Sequence, residues 1–420
     1  MNGGAYLKTF FRGSVVSLAG TVLLGATNYL VRRKLSIELA IAEYGAFYGM
    51  FALLSMVFGV SDVGLTQSGT LAIAAARSRR AIDAVFSQLF MLKGVLALLC
   101  AGGILLFAAF WGGQTLRSPG LLPLTACFVC QSLNGTLQAL WNGRKKYVWQ
   151  QTYYLFVAVL TLALLYSFGV RTGLGRIASC FMLPAALALA LGLACSSIAG
   201  IGALRPRVNR KICVSLFVTG GVMAASTASL TFIYYMDTVM LNAIRGPESA
   251  GLYNVALPIM QIAQSLMVFP GVFIPIAVEM SRKRDFSKLL SFVIGAIAVA
   301  AAAVLPMWWV FHWSGAFLIR LLFDAKYVSA APALAILCAG MVFFTLGNLL
   351  MQIMFCLKRI AVTACITGFA ALLNIGLNYF LIRRFDTCGA AAATLASYTA
   401  FAMITGIALI RILKRETRNG

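Results

Sequence analysis

The chain has 420 residues, 61% of them hydrophobic and 11% charged, with a mean hydropathy of +0.91. A soluble domain averages about 45–50% apolar and about 25% charged residues, so the composition excludes an ordinary water-soluble fold. The formal net charge of +23 is strongly basic, but the basic residues fall between long apolar runs, a pattern that reflects membrane topology and argues against nucleic acid as a partner.

Runs of about 17–25 apolar residues match the hydrocarbon thickness of a bilayer when coiled as helix, and in lipid only internally hydrogen-bonded helices suit such runs. About twelve spans are predicted by this length rule. The first six lie near 13–31, 46–76, 84–110, 121–141, 147–170 and 177–204. The second six lie near 212–242, 250–278, 289–311, 328–357, 360–382 and 387–410. Alternate loops, counted from the N-terminus, carry about twice as many Lys and Arg as the opposite loops, which places both termini in the cytoplasm.

The first span begins after Lys8 and Arg12 and could pass for a signal peptide; with eleven spans following it, an uncleaved helix is expected. It ends in Arg32, Arg33 and Lys34 at the outer face, where a basic cluster is unusual. These side chains either snorkel to headgroups or form a cationic mouth that holds a phosphate, with Arg12 a further candidate at the cytoplasmic end.

Spans two and three contain the charges Asp62 and Lys93. Asp62 lies 15 residues before Arg77 and Lys93 lies 13 residues after Arg80, with both arginines flanking one cytoplasmic turn. At 1.5 Å per residue the two groups differ in depth by roughly 3 Å, so they are expected at mid-membrane, close enough to pair. The pair either fixes two helices or serves as a substrate or coupling site. In span four, Cys127 and Cys130 form a lone CxxC in an apolar setting and are read as small buried hydrophobes rather than metal ligands.

A polar interruption, "RPRVNRK" at 205–211, separates an N-terminal lobe, 1–204, from a C-terminal lobe, 212–420. "EYGAFY" (43–48) and "ESAGLY" (248–253) occupy corresponding places after spans one and seven, which suggests a duplicated bundle with binding at the interface of its halves. Span seven carries Asp237 within "YYMDTVMLN", 26 residues after Lys211 and 8 before Arg245. That spacing assigns it to the outer third of the membrane, as a polar helix end near Tyr234 or Tyr235, or as a cavity group for a cation or a sugar hydroxyl. Span eight contains Asn254, Gln261, Gln264, Pro258, Pro270 and Pro275, so polar contacts and bends are expected there. His312, the one histidine, stands among Trp308, Trp309 and Trp313 like an aromatic belt.

No nucleotide-binding loop, nucleophile elbow or HExxH motif is present, so no catalytic residues, cofactor or metal are expected and the protein is read as a non-enzyme. Uphill transport would then need an ion gradient, the membrane potential or consumption of the product.

Four stretches carry a resemblance. "EYGAFYGMFALLSMVFGVSDVGL" (43–65), "DTVMLNAIRGPESAGLYNVALPIMQ" (237–261), "LLFDAKYVSAAPALAIL" (321–337) and "NIGLNYFLIRRFDTCGAAAATLASY" (374–398) resemble, in order, segments of the Wzx-type polysaccharide-repeat flippases. That family belongs to the multidrug/oligosaccharidyl-lipid/polysaccharide exporter superfamily. The resemblance implies an all-α polytopic membrane protein, with twelve helices in two six-helix lobes around a central cavity and alternating access. The implied substrate is an undecaprenyl-pyrophosphate-linked oligosaccharide. It would be moved to the outer leaflet of the bacterial cytoplasmic membrane, among membrane lipids and other polysaccharide-assembly proteins. Arg32, Arg33 and Lys93 would be cationic partners for the pyrophosphate, and Asp237 matches an acidic position of the family. The chain departs from the pattern at "GLTQSGTLAIA" (64–74), where Gln67 stands in place of a basic residue. A cation-coupled drug exporter of the same superfamily is the main alternative, and a membrane-embedded glycan polymerase a more distant one.

Overall fold

A computed structural model of the chain describes residues 3–110, 117–169, 173–204, 209–266, 280, 285–357 and 359–419. For 3–19, 21, 222, 223, 226, 227, 262–266, 356, 360, 418 and 419 the description is of the backbone alone. The side chains of Arg12, Thr227 and Gln264 therefore lie outside it, as do Pro270, Pro275 and residues 205–208 of the expected linker.

Among the described residues every regular element is helical. In chain order they are α1 (Gly3–Glu38), α2 (Ile41–Ser61), α3 (Leu65–Ala75), α4 (Arg79–Phe110), α5 (Leu121–Gly143), α6 (Tyr147–Phe168) and α7 (Leu174–Ile198). There follow α8 (Arg210–Ile244), α9 (Pro247–Leu266), α10 (Phe286–Leu322), a 3-10 turn (Ala325–Ala330), α11 (Ala331–Cys356) and α12 (Ile360–Asn419). Seven segments of the described residues are long and apolar enough to cross a membrane.

One feature differs from the predicted spans. The run 46–76 is divided: α2 stops at Ser61, and Val63 (φ 45°) and Gly64 (φ 68°) turn the chain before α3. Hydropathy does not register this break because the turn is short and apolar on both sides. Gly64 is needed there twice over, for its left-handed φ and because a Cβ would collide with the Gly220 carbonyl. The last two predicted spans are both present: α12 consists of two helices that meet at a kink at Asp386 (φ 52°, ψ −128°).

The chain forms two compact units, Met1–Leu39 with Leu54–Ala224, and Ala40–Leu53 with Ala225–Gly420. In the first unit the core gathers Leu65, Ile73, Phe86, Leu89, Leu137 and Trp141, and the Trp141 indole N–H donates to Ser196 Oγ at 3.0 Å. Two buried acceptors on α4 hold the segment that leads into α8. Asp83 accepts from the Ala203 N–H at 3.0 Å, and Gln88 from the Asn209 N–H at 3.0 Å and the Cys213 thiol at 3.2 Å.

In the second unit Leu289, Val293, Ala296 and Ala300 repeat along one face of α10 and pack on Val342, Leu346, Leu349 and Ile353 of α11. The opposite face exposes Val299 and Leu305, as expected of a helix that meets lipid rather than water. The repeated motifs also meet: a Cβ on Gly45 would overlap the Pro247 carbonyl, and one on Gly251 the Ile41 carbonyl. Small residues let α2 and α9 approach backbone to backbone, the usual route to helix packing where lipid offers no hydrophobic driving force. In the C-terminal half of α10, His312 stacks on Trp308 at 4.9 Å between ring centroids, with Trp309 and Trp313 exposed.

Candidate functional site

Among the described residues, a polar cluster with several side-chain partners is built around Asp62 in the first unit and around Asp237 in the second. In the first unit Asp62 sits in the turn between α2 and α3, and Lys93 reaches it from the middle of α4. Lys93 Nζ lies 2.5 Å from Asp62 Oδ1 and donates to Thr66 Oγ1 at 2.6 Å. The Thr66 hydroxyl donates to Asp62 Oδ1 at 2.7 Å and its N–H to Oδ2 at 3.3 Å. Lys93 is buried to 3% exposure, whereas the Asp62 side chain keeps 22%. Gly135 of α5 makes the arrangement possible, because a Cβ there would occupy the place of the Lys93 ammonium and lie 3.0 Å from Thr66 Oγ1. The structure thus brings Asp62 and Lys93 together and adds Thr66 and Gly135, two partners that depth counting does not identify.

The other basic candidates of this unit are differently placed. Arg32 is half-buried and Arg33 exposed on α1. Lys34 pairs with Glu38 one turn on and lies 4.2 Å above the Tyr166 ring, so it is engaged rather than open to a ligand.

In the second unit Asp237 of α8 is 2% exposed, a deeper burial than its position near the end of an apolar run suggests. The Tyr253 hydroxyl donates to Oδ2 at 2.6 Å, and the Thr394 hydroxyl donates to the same oxygen. Asn378 Nδ2 donates to Oδ1 at 2.7 Å and Asn374 Nδ2 at 3.2 Å. Asn374 and Asn378 are one turn apart, so the N-x-x-x-N spacing sets both amides on one face of α12. Among the described residues no ammonium or guanidinium pairs with Asp237. Asn378 Oδ1, although buried, accepts no hydrogen bond from the described residues. A small cavity with room for about one water molecule adjoins the carboxylate, lined in part by Tyr234, Tyr253, Thr394 and Tyr398. The expected hydroxyl partners, Tyr234 and Tyr235, are replaced by Tyr253; Tyr234 instead accepts from Gln261. A second rung, Asn254 Nδ2 to Thr238 Oγ1 at 3.2 Å, ties α9 to α8 beside the cluster.

Chemically the clusters are unlike. The first is a charge-balanced ion pair with one partner near solvent. The second is a lone carboxylate solvated by hydroxyl and amide groups, each of which can turn to present a donor or a lone pair.

The model of a family described as "Polysaccharide biosynthesis protein" matches residues 10–281. The chain belongs to that family. The chain is 22% identical, over 94% of its own length and 82% of the other, to a protein of Methanocaldococcus jannaschii described as the uncharacterized membrane protein MJ1068. The fold of this chain is similar to that of a multidrug resistance MATE family transporter of the MOP superfamily in an inward-facing conformation. The TM-score is 0.77 at 15% identity, covering 96% of this chain and 99% of that one. It is also similar to the Vibrio cholerae MATE transporter VcmN (TM-score 0.67, 14% identity, 99% and 98% covered). A Pyrococcus furiosus MOP superfamily transporter, described as having a binding pocket of reverse polarity, matches with a TM-score of 0.66 at 15% identity, covering 97% and 96%. These likenesses establish a MATE-like all-α fold with two lobes of about six helices.

Cys127 of the CxxC makes ordinary contacts. The Cys127 thiol donates to the Phe181 carbonyl at 3.4 Å and accepts from Gln131 at 3.4 Å.

Proposed function

We propose that the protein moves a polyprenyl-pyrophosphate-linked oligosaccharide from the cytoplasmic to the outer leaflet of a bacterial cytoplasmic membrane by alternating access, with both termini cytoplasmic, for cell-surface polysaccharide assembly. Membership of a polysaccharide biosynthesis family, on a transporter fold, is the observation that carries this reading. The cationic groups Lys93, Arg32 and Arg33 are the partners for the pyrophosphate, with Arg12 a further one at the cytoplasmic end of α1.

Asp237 has another role in this scheme. A sugar cannot reach a carboxylate that is 2% exposed and ringed by four donors, but a proton or a small cation can. We therefore assign Asp237 to energy coupling: its carboxylate is held by neutral donors, and these hydroxyl and amide neighbours can rotate to accommodate the loaded form. The alternative, a cation-coupled drug exporter, shares this coupling site and differs in cargo.

Reconstitution separates the two. Purified protein in liposomes, with a labelled polyprenyl-pyrophosphate oligosaccharide on one leaflet, is expected to make the sugar accessible to an enzyme on the opposite side faster than empty liposomes do. Absence of transfer, together with cation-driven efflux of a small dye, would replace the flippase reading with the exporter.

A further inference from the structure

The Asp62 carboxylate is held as a bound anion would be held. Its donors are an ammonium at 2.5 Å, a hydroxyl at 2.7 Å and a backbone N–H at 3.3 Å, the mixed set that proteins direct at phosphate oxygens. The cation of this seat stands on a helix and the anion does not. Lys93 and Thr66 stand on helices, and Lys93 is wedged against Gly135. Asp62 instead lies where α2 has ended, beside two residues with positive φ. Exposure runs the same way, 22% for the Asp62 side chain and 4% for that of Lys93. A competing anion would therefore approach from the side of Asp62 and, by displacing it, inherit all three donors.

We propose that Lys93 Nζ, Thr66 Oγ1 and Thr66 N–H form an anion site for a phosphate or pyrophosphate group, and that Asp62 is its built-in competitor, occupying the seat until a substrate phosphate takes it. No bond is made or broken in the exchange; the carboxylate leaves to solvent and the phosphate replaces it on the same ammonium. The proposal rests on the flippase reading for the identity of the cargo, and deepens it by naming the residue that the cargo must displace.

The competition gives opposite signs to two neighbouring substitutions. Binding of inorganic pyrophosphate to the purified, detergent-solubilised protein is measured by calorimetry for the wild type, Asp62→Asn, Lys93→Gln and Thr66→Val. Asp62→Asn removes the competing charge and is expected to tighten binding about tenfold, whereas Lys93→Gln weakens it about tenfold and Thr66→Val by less. A polyprenyl pyrophosphate in the same assay reports the source: affinity above that of the free anion, with the same order of variants, assigns the seat to a lipid headgroup, and equal affinity assigns it to free phosphate. Should Lys93→Gln fail to fold, the opposed shifts of Asp62→Asn and Thr66→Val carry the test. Shifts in the same direction for Asp62→Asn and Lys93→Gln, or no shift in folded protein, would overturn the proposal and leave the pair as a helix fastener. The wild-type flipping assay is independent: transfer without opposed shifts sinks the anion seat alone, and opposed shifts without transfer sink the flippase reading alone.

Discussion

Asp62, in the turn after α2, and Asp237, within α8, both lie among apolar residues, yet the two units stabilise them by different means. Asp62 has a lysine at 2.5 Å and a partly open face; Asp237 is enclosed and has hydroxyls and amides where a countercharge would be expected. A carboxylate paired with a buried lysine is neutral as a unit, and what it offers a ligand is an exchange of one anion for another. A carboxylate among neutral donors is a net negative charge in a medium that penalises charge, so it offers a place for a proton or a cation. Under the proposed function the difference amounts to a division of work, in which one unit would deal with the anionic cargo and the other with the driving ion.

The largest effect that sharpens this contrast is expected at the enclosed carboxylate. Asp237→Ala leaves the donors of Tyr253, Thr394, Asn374 and Asn378 without their acceptor, at about 1–3 kcal/mol for each that finds no other partner. Thermal unfolding in detergent should fall well below that of the wild type, while Asp237→Asn, which keeps the volume, should fold better and lose ion coupling. If Asp237→Ala unfolds with the wild type, the donors do not depend on the carboxylate and the contrast fails.

A smaller effect is expected at the ion pair. Lys93→Gln strands Asp62 and should cost about 2 kcal/mol, less than for a fully buried pair because Asp62 retains some solvent. The double variant Asp62→Asn/Lys93→Gln should recover most of that loss. A double variant less stable than either single one would show that the two side chains do not act as a pair.

Gly135→Ala tests the geometry without touching a charge. The added methyl displaces the Lys93 ammonium, and the resulting overpacking should cost about 1–3 kcal/mol and weaken pyrophosphate binding together. Unchanged affinity would mean that Lys93 is free to move and the seat is not preformed.

The smallest effect is expected at an exposed carboxylate outside both clusters. Asp285 caps α10, accepting from the Lys288 N–H at 3.3 Å, and pairs with the Lys288 ammonium at 2.6 Å. The hydrogen bonds from Lys288 hold its carboxyl below the usual carboxylate range. Its contribution is therefore present above the ordinary carboxylate pKa of about 3.9 and lost as pH falls through the lowered value. Asp285→Asn should flatten a slight acid-side decline in stability and leave transport at neutral pH unaltered; a transport defect would draw this cap into the mechanism.

Much of this contrast was legible in the sequence. Counting residues from Arg77 and Arg80 brought Asp62 and Lys93 to one depth, because helix rise is constant and the two helices share a turn. Thr66 and Gly135 were not legible. Thr66 joins the pair only because the chain turns at Val63 and Gly64, and hydropathy does not detect a turn of three residues between apolar segments. For Asp237, counting placed the residue along the helix but carried no information on which neighbours enclose it. The signal was nevertheless present in the paired asparagines at 374 and 378 and the threonine at 394, polar groups at helical spacing in apolar helices. Their conjunction with Asp237 depends on packing between α8, α9 and α12, which lie more than 100 residues apart in sequence for the most distant pairs.

The measurement that tests the division of work most directly is the dependence of flipping on an imposed ion gradient. Liposomes containing the wild type, Asp237→Asn or Asp62→Asn would be assayed for oligosaccharide transfer with and without an inward or outward gradient of sodium ions or protons. The account predicts that one of the two gradients accelerates transfer by the wild type and by Asp62→Asn, and leaves Asp237→Asn unaffected. A gradient response retained by Asp237→Asn, or abolished in Asp62→Asn alone, would contradict it.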